Sequence, residues 1–283
     1  MKKPKKHADL DLFARMLKVF ADTPWLHYGL WLDGETPSFP GIRQAQERYV
    51  DKLLALLPAA PASILDIGGG TGAMAGRLAS LGYTVEMLTP SEVQVGIARE
   101  SLNGAATVHL SRLEDFAPGK RFDVCLFSES YQYIPLSASF AKLGELLAPG
   151  GRVVIADCFR SDGFKGGRAI GGGHRYAEFL RAVEASGFAI TSNEDVTALA
   201  APSIEIDRMV YRDALSPVIT QLSGLLKDRR PATHWLAARA YQLFVSGEER
   251  QRIADRLKAE YRTPQHFLAN NTYRFMTLER PTG

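Results

Sequence analysis

The stretch ILDIGGGTGAMAGRL at residues 64–78 holds the most specific pattern in the chain. An apolar run that ends at Ile67 predicts a short buried strand, four glycines follow it, and a helical pattern begins at Met74. Glycines let the backbone approach a ligand with no Cβ in between, and the first turn of a helix offers free N–H groups. Ligands of open α/β sheets lie beyond the carboxyl ends of the strands. We therefore expect a nucleotide-like ligand at this loop.

The spacing of the glycines discriminates between nucleotide-like ligands. A dinucleotide site has the pattern G-x-G-x-x-G and, about 20 residues further on, a carboxylate that binds the ribose. This chain instead has D-x-G-x-G-x-G, formed by Asp66, Gly68, Gly70 and Gly72, and Thr89 stands where the ribose carboxylate is expected. Both features count against NAD, so an NAD-dependent oxidoreductase is only a minor alternative.

Strand and helix patterns alternate on both sides of this loop. They predict strands at 63–67, 83–88, 122–127, 152–157, 188–196 and 272–278, and helices at 42–56, 74–81, 91–102, 140–147 and 176–186. This alternation predicts a parallel sheet that is covered by helices on both faces. Residues from about 204 to 267 have mostly helical patterns and precede the last strand. Because the block lies between two strands, we expect it to cap the ligand-binding edge.

The amino-terminal residues predict an amphipathic helix, since Leu10, Phe13, Leu17 and Phe20 recur at helical spacing. We favour a helix that packs on the main domain. The alternative is a helix that lies on a membrane surface beside the lysines of MKKPKK at residues 1–6.

Composition and charge narrow the class of protein. Among the 283 residues, 46% are hydrophobic and 23% are charged, which is typical of a globular protein and excludes a fibrous or disordered one. The net charge is +3, but four lysines lie within residues 1–6, and without them 30 basic residues face 31 acidic ones. Binding of nucleic acid is therefore not expected, because it needs a clustered basic surface.

The cysteines and the apolar runs bear on compartment and membrane insertion. Cys125 and Cys158 each lie in an apolar run, which predicts buried small hydrophobes without a metal-ligand spacing or a disulfide pattern. No run of 18 uncharged apolar residues occurs, so we expect no membrane span. The expectation is a soluble, cytoplasmic protein without a metal ion.

Several segments together resemble the class I S-adenosylmethionine-dependent methyltransferases. The D-x-G-x-G-x-G loop is similar to their first motif, and LTPSEVQ (88–94) resembles the T-x-S-x-x-Q segment of cyclopropane synthases and of tocopherol and other small-molecule methyltransferases. Further segments that resemble this branch are LHYGLW (26–31), RLEDF (112–116), FSESYQYI (127–134) and LLAPGGRVVIAD (146–157). The resemblance implies a seven-stranded Rossmann-like methyltransferase sheet and S-adenosyl-L-methionine as the cofactor.

The resemblance also implies which residues bind the cofactor. They are Asp66, Gly68, Gly70 and Gly72 in the loop, Thr89 and Gln94 at the ribose edge, Tyr28 at the carboxylate, Leu113 against the adenine, Glu114 near its exocyclic amine, and Ser128 at the methionine amine through its backbone carbonyl.

One departure from the branch concerns catalysis. Where the branch commonly has a histidine after the fourth strand, this chain has Tyr133, and a phenol with a pKa of about 10 is a poor base. His27 and Glu129 are the best candidates for a base if the acceptor is a hydroxyl. The candidate catalytic residues are therefore His27, Glu129 and Tyr133. We also expect the side chains of Tyr131 and Tyr133 to face the reaction space, with core packing as the alternative.

The expected architecture has three parts. Residues 1–44 form an N-terminal lid helix and loop, residues 45–200 with 267–283 form the cofactor-binding α/β core, and residues 201–266 form a helical substrate cap. The aromatic residues of the cap are expected mainly to pack it on the sheet, with some lining a pocket. They are Trp235, Tyr241, Phe244, Tyr261 and Phe267.

The expected activity is methyl transfer to an oxygen or nitrogen of a small, apolar or aromatic metabolite, as in secondary metabolism. Two alternatives stay open. One is a lipid-directed methyltransferase that acts on a fatty acyl chain, a sterol or a quinone, and the other is a protein that binds S-adenosylmethionine without catalysis. The oligomeric state is also open, with a homodimer as one alternative.

Overall fold

The computed structural model describes residues 16–166, 169–258 and 261–280. Its centre is a seven-stranded sheet with the order β3-β2-β1-β4-β5-β7-β6. The strands are β1 (Ser63–Ile67), β2 (Thr84–Thr89), β3 (Thr107–Leu110), β4 (Phe122–Ser128), β5 (Leu147–Arg160), β6 (Ala189–Asp195) and β7 (Asn271–Glu279). The expected seven-stranded sheet is confirmed. The short strand β3 is the one that the sequence patterns missed, because four residues carry too little periodicity.

The last strand runs against the others. The pairs among β1 to β5 are parallel, whereas β7 is antiparallel to both β5 and β6. The expectation of a parallel sheet is therefore wrong for β7. Asp195 at the end of β6 pairs with Arg274 near the start of β7, so the intervening helices leave and re-enter the sheet at the same edge. A chain that returns in this way must reverse its direction.

Helices cover both faces of the sheet. They are α1 (Phe39–Leu54), α2 (Ala73–Ser80), α3 (Glu92–Leu102), α4 (Leu136–Leu146), α5 (Tyr176–Ser186), α6 (Thr197–Ala200), α7 (Ser203–Arg208), α8 (Ser216–Arg229), α9 (Pro231–Phe244), α10 (Gly247–Lys258) and α11 (Pro264–Asn270). A π-helical turn (Met209–Leu215) joins α7 to α8. Residues 16–21 are helical, and the start of the predicted amino-terminal helix lies outside the described residues.

Alternate residues of the central strands enter two different apolar layers. Val124 and Leu126 of β4 belong to the layer on one face of the sheet, and Cys125 and Phe127 belong to the layer on the other. This burial on both faces is the pattern of a sheet sandwiched between helices. Both cysteines are buried and free, as predicted. None of the helices in the described part of the chain has the length and hydropathy that a membrane span requires.

Two expectations about aromatic residues need correction. Tyr131 does not face the reaction space, because its ring is buried against Phe127 and its hydroxyl lies 2.8 Å from Ser139 Oγ. In the cap, Phe267, at the boundary between cap and core, is buried and Tyr261 packs against the core, but the side chains of the other three aromatic residues are exposed. The reason is that α8 and α9 bury none of their residues, so they do not pack on the sheet.

Candidate functional site

The glycine loop between β1 and α2 has a backbone that only glycine adopts easily. Gly68, Gly70 and Gly72 have φ angles of 80°, 57° and 89°, all in the left-handed region. A Cβ on Gly68 would lie 2.5 Å from the Cβ of Ser130, so this glycine is also required by packing. A Cβ on Gly70 would meet nothing within 4 Å. Open space therefore adjoins the loop at Gly70, where a ligand can reach the backbone.

Asp66 lies in β1 just before this loop and carries a buried carboxyl group. Its Oδ2 has no hydrogen-bond partner among the described residues, and burial raises the pKa of Asp66 to about 7. A buried carboxylate without a donor is costly, and such an unpaired group in a native protein calls for an explanation. A ligand that brings a positive charge or a donor to the loop would offset this cost. The buried carboxyl group of Asp66 thus fits a cationic cofactor.

The end of β2 supplies neutral polar groups beside the loop. Thr89 is buried, and its Oγ1 donates a 2.6 Å hydrogen bond to Oε1 of Gln94. Ser91 caps α3 by accepting a hydrogen bond from the backbone N–H of Gln94. The carboxamide of Gln94 is therefore held in place, and its Nε2 remains a donor for a ligand hydroxyl.

The other predicted cofactor residues lie at the same edge of the sheet, with one exception. Leu113 is buried in the apolar layer, Glu114 is half-buried, and Ser128 ends β4 with its Oγ 2.9 Å from the hydroxyl of Tyr49. The exception is Tyr28, whose ring lies 5.7 Å from the ring of Phe267, in a neighbouring cavity. The strand order reverses between β1 and β4, and such a reversal is where open α/β sheets bind ligands.

The neighbouring cavity has a volume of about 150 Å³ and brings together residues from distant parts of the chain. All three predicted catalytic residues line it. Its polar walls come from His27, Tyr28, Gln46, Glu129, Gln132, Tyr133, Cys158, Ser203, Asp207, Arg262 and Tyr273.

Glu129 is the ionisable group best suited to chemistry in this cavity. Its Oε1 accepts hydrogen bonds from the backbone N–H of Tyr28 and from the hydroxyl of Tyr273, each 2.7 Å long. Burial raises the pKa of Glu129 to about 7, although these two hydrogen bonds act to lower it. Both bonds use Oε1, which leaves Oε2 for a substrate. A carboxyl group with a pKa near the working pH is an effective general base.

His27 is held in one neutral tautomer. Its Nδ1 lies 2.8 Å from the carbonyl oxygen of Tyr28, and since a carbonyl only accepts, Nδ1 carries the hydrogen. Nε2 is buried and has no partner among the described residues, and the ring stacks on Tyr49 at 3.9 Å between centroids. Burial lowers the pKa of His27 to about 4. The imidazole is therefore neutral at pH 7, and its Nε2 is a hydrogen-bond acceptor and a weak base.

Tyr133 lies at the mouth of the cavity with 69% of its surface exposed. Sequence reasoning missed two features of the wall. Tyr273 comes from the last strand, 144 residues after its partner Glu129. Arg262 and Asp207 form a 2.9 Å ion pair from two parts of the cap. No local motif marks these residues, since they reach the cavity from distant parts of the chain.

The unpaired carboxyl group of Asp66 gives a prediction for stability. The folded chain keeps the proton of Asp66 up to about pH 7, whereas the unfolded chain loses it above the ordinary aspartate pKa of 3.8. The folded state thus binds more protons in this window, and the contribution of Asp66 to the free energy of unfolding falls as pH rises through it. We expect Asp66→Asn to unfold at higher urea than the parent at pH 8, with a smaller difference at pH 5.

A control of opposite sign is available in Asp123. Hydrogen bonds from the backbone N–H and the hydroxyl of Ser63 lower the pKa of Asp123, so its ionised form stabilises the fold. Asp123→Asn should therefore unfold at lower urea than the parent at pH 8. Circular dichroism at both pH values reports the transitions. If Asp66→Asn unfolded at lower urea than the parent at pH 8, its carboxylate would have a stabilising partner.

Comparison with known proteins places this geometry in a family. A family model described as "Methyltransferase domain" matches residues 42–236. A ubiquinone biosynthesis O-methyltransferase of Ralstonia nicotianae is 26% identical over 217 residues, which are 71% of this chain and 90% of the relative.

Two solved structures with a similar fold cover nearly the whole chain. The 4+2 cyclase SpnF has a TM-score of 0.65 at 22% identity, with 98% of this chain and 95% of the cyclase covered. The cyclopropane synthase MmaA2 from Mycobacterium tuberculosis has a TM-score of 0.65 at 14% identity, with 95% of each chain covered. At these identities the likeness concerns the fold.

Proposed function

Because the chain belongs to the methyltransferase domain family and is an S-adenosylmethionine-dependent methyltransferase, we propose that it methylates an oxygen atom of a small, apolar or aromatic acceptor. The single observation that carries this proposal is Glu129. A half-buried carboxyl group with a pKa of about 7, held by two donors at the wall of a small cavity, can remove a proton from a hydroxyl. An amine or thiol acceptor would have less need of it.

S-adenosylmethionine, when bound, supplies a methyl group on a sulfonium whose positive charge is lost on transfer. The backbone at Gly68, Gly70 and Gly72 would hold it closely, and Gln94 would donate to its ribose. The orphaned carboxylate of Asp66 fits its positive charge. We further propose that Leu113, Glu114 and Ser128 contribute the contacts expected from the family resemblance. Tyr28, whose backbone N–H holds Glu129, is also proposed to contact the carboxylate of the cofactor, as the resemblance implies.

The proposed chemistry needs few residues. Oε2 of Glu129 takes the proton of the acceptor hydroxyl, while Tyr28 and Tyr273 fix the carboxylate through Oε1. Nε2 of His27, which has no partner among the described residues, accepts a hydrogen bond from the bound substrate and so orients the substrate. Positioning and the exclusion of water then provide the rest of the rate enhancement. Tyr133, exposed at the mouth, is proposed to contact the acceptor but not to act as a base.

The size of the cavity supports a small acceptor. Its volume is about 150 Å³, and an engineered cavity of about that volume in another protein holds benzene. Leu17, Leu26, Ile42 and Ile206 form its apolar wall. An aromatic ring fits this space, whereas a long acyl chain or a sterol exceeds it.

We also propose that a lid and a substrate cap enclose the acceptor above the α/β core. His27 and Tyr28, from residues 1–44, and Asp207 and Arg262, from residues 201–266, all line the cavity. These contacts support a lid and a substrate cap around the α/β core. The Ralstonia relative is named an O-methyltransferase, which agrees with an oxygen acceptor. The fold by itself does not fix the reaction, since SpnF is named a cyclase.

Two measurements test the proposal. Isothermal titration with S-adenosylmethionine, S-adenosylhomocysteine and NAD should give micromolar binding of the first two and none of NAD. Release of S-adenosylhomocysteine is then measured with a panel of phenols, carboxylic acids, aromatic amines, thiols and fatty acids of matched size. We expect turnover with phenols. Turnover with amines alone would contradict the oxygen acceptor, and turnover with fatty acids alone would favour the lipid-directed alternative.

A further inference from the structure

The helices α8 and α9 form a hairpin, residues 216–244, that buries none of its residues. On α8 the exposed apolar residues are Val218, Ile219, Leu222, Leu225 and Leu226, with 41% to 56% of their surfaces exposed. Their spacing of i, i+1, i+4, i+7 and i+8 places them in one stripe along the helix. A stripe of this kind is the side by which a helix packs on a partner.

The second helix of the hairpin carries larger apolar side chains. On α9, Trp235, Leu236, Tyr241, Leu243 and Phe244 have between 41% and 86% of their surfaces exposed. Phe244 and Leu243 are among the most exposed apolar side chains in the described part of the chain. The two helices contact each other, yet neither these side chains nor the stripe on α8 is covered.

The exposed apolar area is larger than a monomer normally presents. Ten apolar side chains, three of them aromatic at roughly 150–250 Å² each and the others somewhat smaller, are on average about half exposed, which leaves on the order of 1,000 Å² in contact with solvent. The largest apolar patch on a typical monomer is about 300–600 Å². A stable interface of standard size buries about 800 Å² on each partner. The hairpin therefore has the area that one protein interface needs.

We propose that the hairpin packs against the same hairpin of a second copy of this chain, so that the two hairpins form a four-helix bundle. Val218, Leu222 and Leu225 are separated by four and three residues, which is the spacing of helix–helix seams in such bundles. A twofold interface pairs each patch with itself, so one exposed patch per chain is sufficient.

The distribution of charge favours a second copy over a lipid surface. Helices that lie on anionic membranes carry a continuous basic face opposite the apolar one. In the hairpin, Lys227, Arg229 and Arg230 lie at the turn between the helices, with Asp228 among them, and Arg239 of α9 is the one other lysine or arginine. A cluster of cations at one end and a single arginine on α9 do not form the continuous basic face that would align both helices along a membrane. They are compatible with a bundle in which the turns of the two copies lie at opposite ends.

The hairpin that forms the proposed dimer is connected to the wall of the cavity. The π-helical turn Met209–Leu215 joins α8 to α7, and Asp207 of α7 holds Arg262 at the cavity wall. A bundle that fixes α8 therefore also fixes the cap residues beside the acceptor. This inference does not depend on which acceptor is methylated.

The test compares molecular mass across three forms of the full chain. Light scattering and sedimentation velocity from about 1 to 100 μM should give twice the 31.1 kDa mass of the chain for the parent protein. The variant with Leu222→Glu and Leu236→Glu should be monomeric throughout this range. Leu81→Glu changes an apolar residue of comparable exposure outside the hairpin and should remain dimeric. Unchanged binding of S-adenosylmethionine in the monomeric variant shows that it is folded.

Two results would overturn the proposal. One is a parent protein that stays monomeric at 100 μM, and the other is a double variant that stays dimeric while folded. Sedimentation with vesicles of equal parts phosphatidylcholine and phosphatidylglycerol tests whether a lipid surface covers the hairpin instead. If the parent is monomeric and sediments with these vesicles while the double variant does not, the hairpin binds lipid and not a second copy.

Discussion

Replacement of Gly70 by valine is expected to weaken binding of S-adenosylmethionine by about 100-fold or more while the fold persists. Gly70 has a φ of 57°, and a Cβ there points into space that is open to 4 Å beside the loop. We propose that the cofactor occupies this space. The two branches of valine would stand between the ligand and the backbone that it must approach. Isothermal titration measures the loss, and circular dichroism checks the fold.

Gly34 provides a matched control for backbone strain. It has a φ of 79°, and a Cβ on it would also meet nothing within 4 Å. Gly34→Val therefore imposes similar left-handed strain on a β-branched residue, at a turn away from the glycine loop. We expect Gly34→Val to lose stability but to keep its affinity for the cofactor. Normal affinity in Gly70→Val would show that the loop does not contact the ligand.

The part of the site that could be predicted from the sequence is the part built by neighbouring residues. The strand β1, the glycine loop, the start of α2 and the end of β2 follow one another within about 25 residues, and each has a local signal. Glycines at left-handed φ, the cap at Ser91 and the hydrogen bond between Thr89 and Gln94 all come from short-range geometry. For this reason the predicted helices and strands lie within a few residues of the observed ones.

The acceptor cavity shows what local signals do not contain. Glu129 was a candidate because it follows a buried strand, but its partner Tyr273 reaches it only because β7 enters the sheet antiparallel between β5 and β6. Alternation of strands and helices predicts parallel strands, and nothing local in the sequence marks the antiparallel return of β7. The error at Tyr131 has a similar origin, because the 3₁₀ turn Tyr131–Tyr133 sends one tyrosine into the core and the other to the surface. A turn of three residues has no periodicity to predict this.

The exposed hairpin shows a third kind of limit. Apolar residues at helical spacing in 216–244 predict packed helices, and the expectation was that these helices pack on the sheet. In the structure α6 and α11 contact β7, and α7 packs on α11. The apolar residues of α8 and α9 therefore remain exposed to solvent. An amphipathic pattern predicts that one face of a helix is buried, but it does not indicate whether the residues that bury it belong to the same chain.

Replacement of Glu129 by glutamine is expected to lower kcat by about 100- to 10,000-fold, the range for loss of a general acid or base. Glutamine keeps an oxygen that can accept from the N–H of Tyr28 and the hydroxyl of Tyr273, so the cavity should keep its shape. It cannot take a proton. The affinity for S-adenosylmethionine should stay within about threefold. Glu145→Gln, which alters an exposed ion pair with Lys142 on α4, is the control and should leave kcat unchanged.

The pH dependence separates a base from a residue that only shapes the cavity. The ionised form of Glu129 is the active one, so kcat/KM of the parent protein should rise with pH through about 7. Glu129→Gln should lack this rise. Tyr273→Phe removes a hydrogen bond that lowers the pKa of Glu129, so in this variant the rise should move to higher pH. If Glu129→Gln kept the parent's profile and kcat, the proton would be taken elsewhere, and the neutral imidazole of His27 would be the next group to substitute.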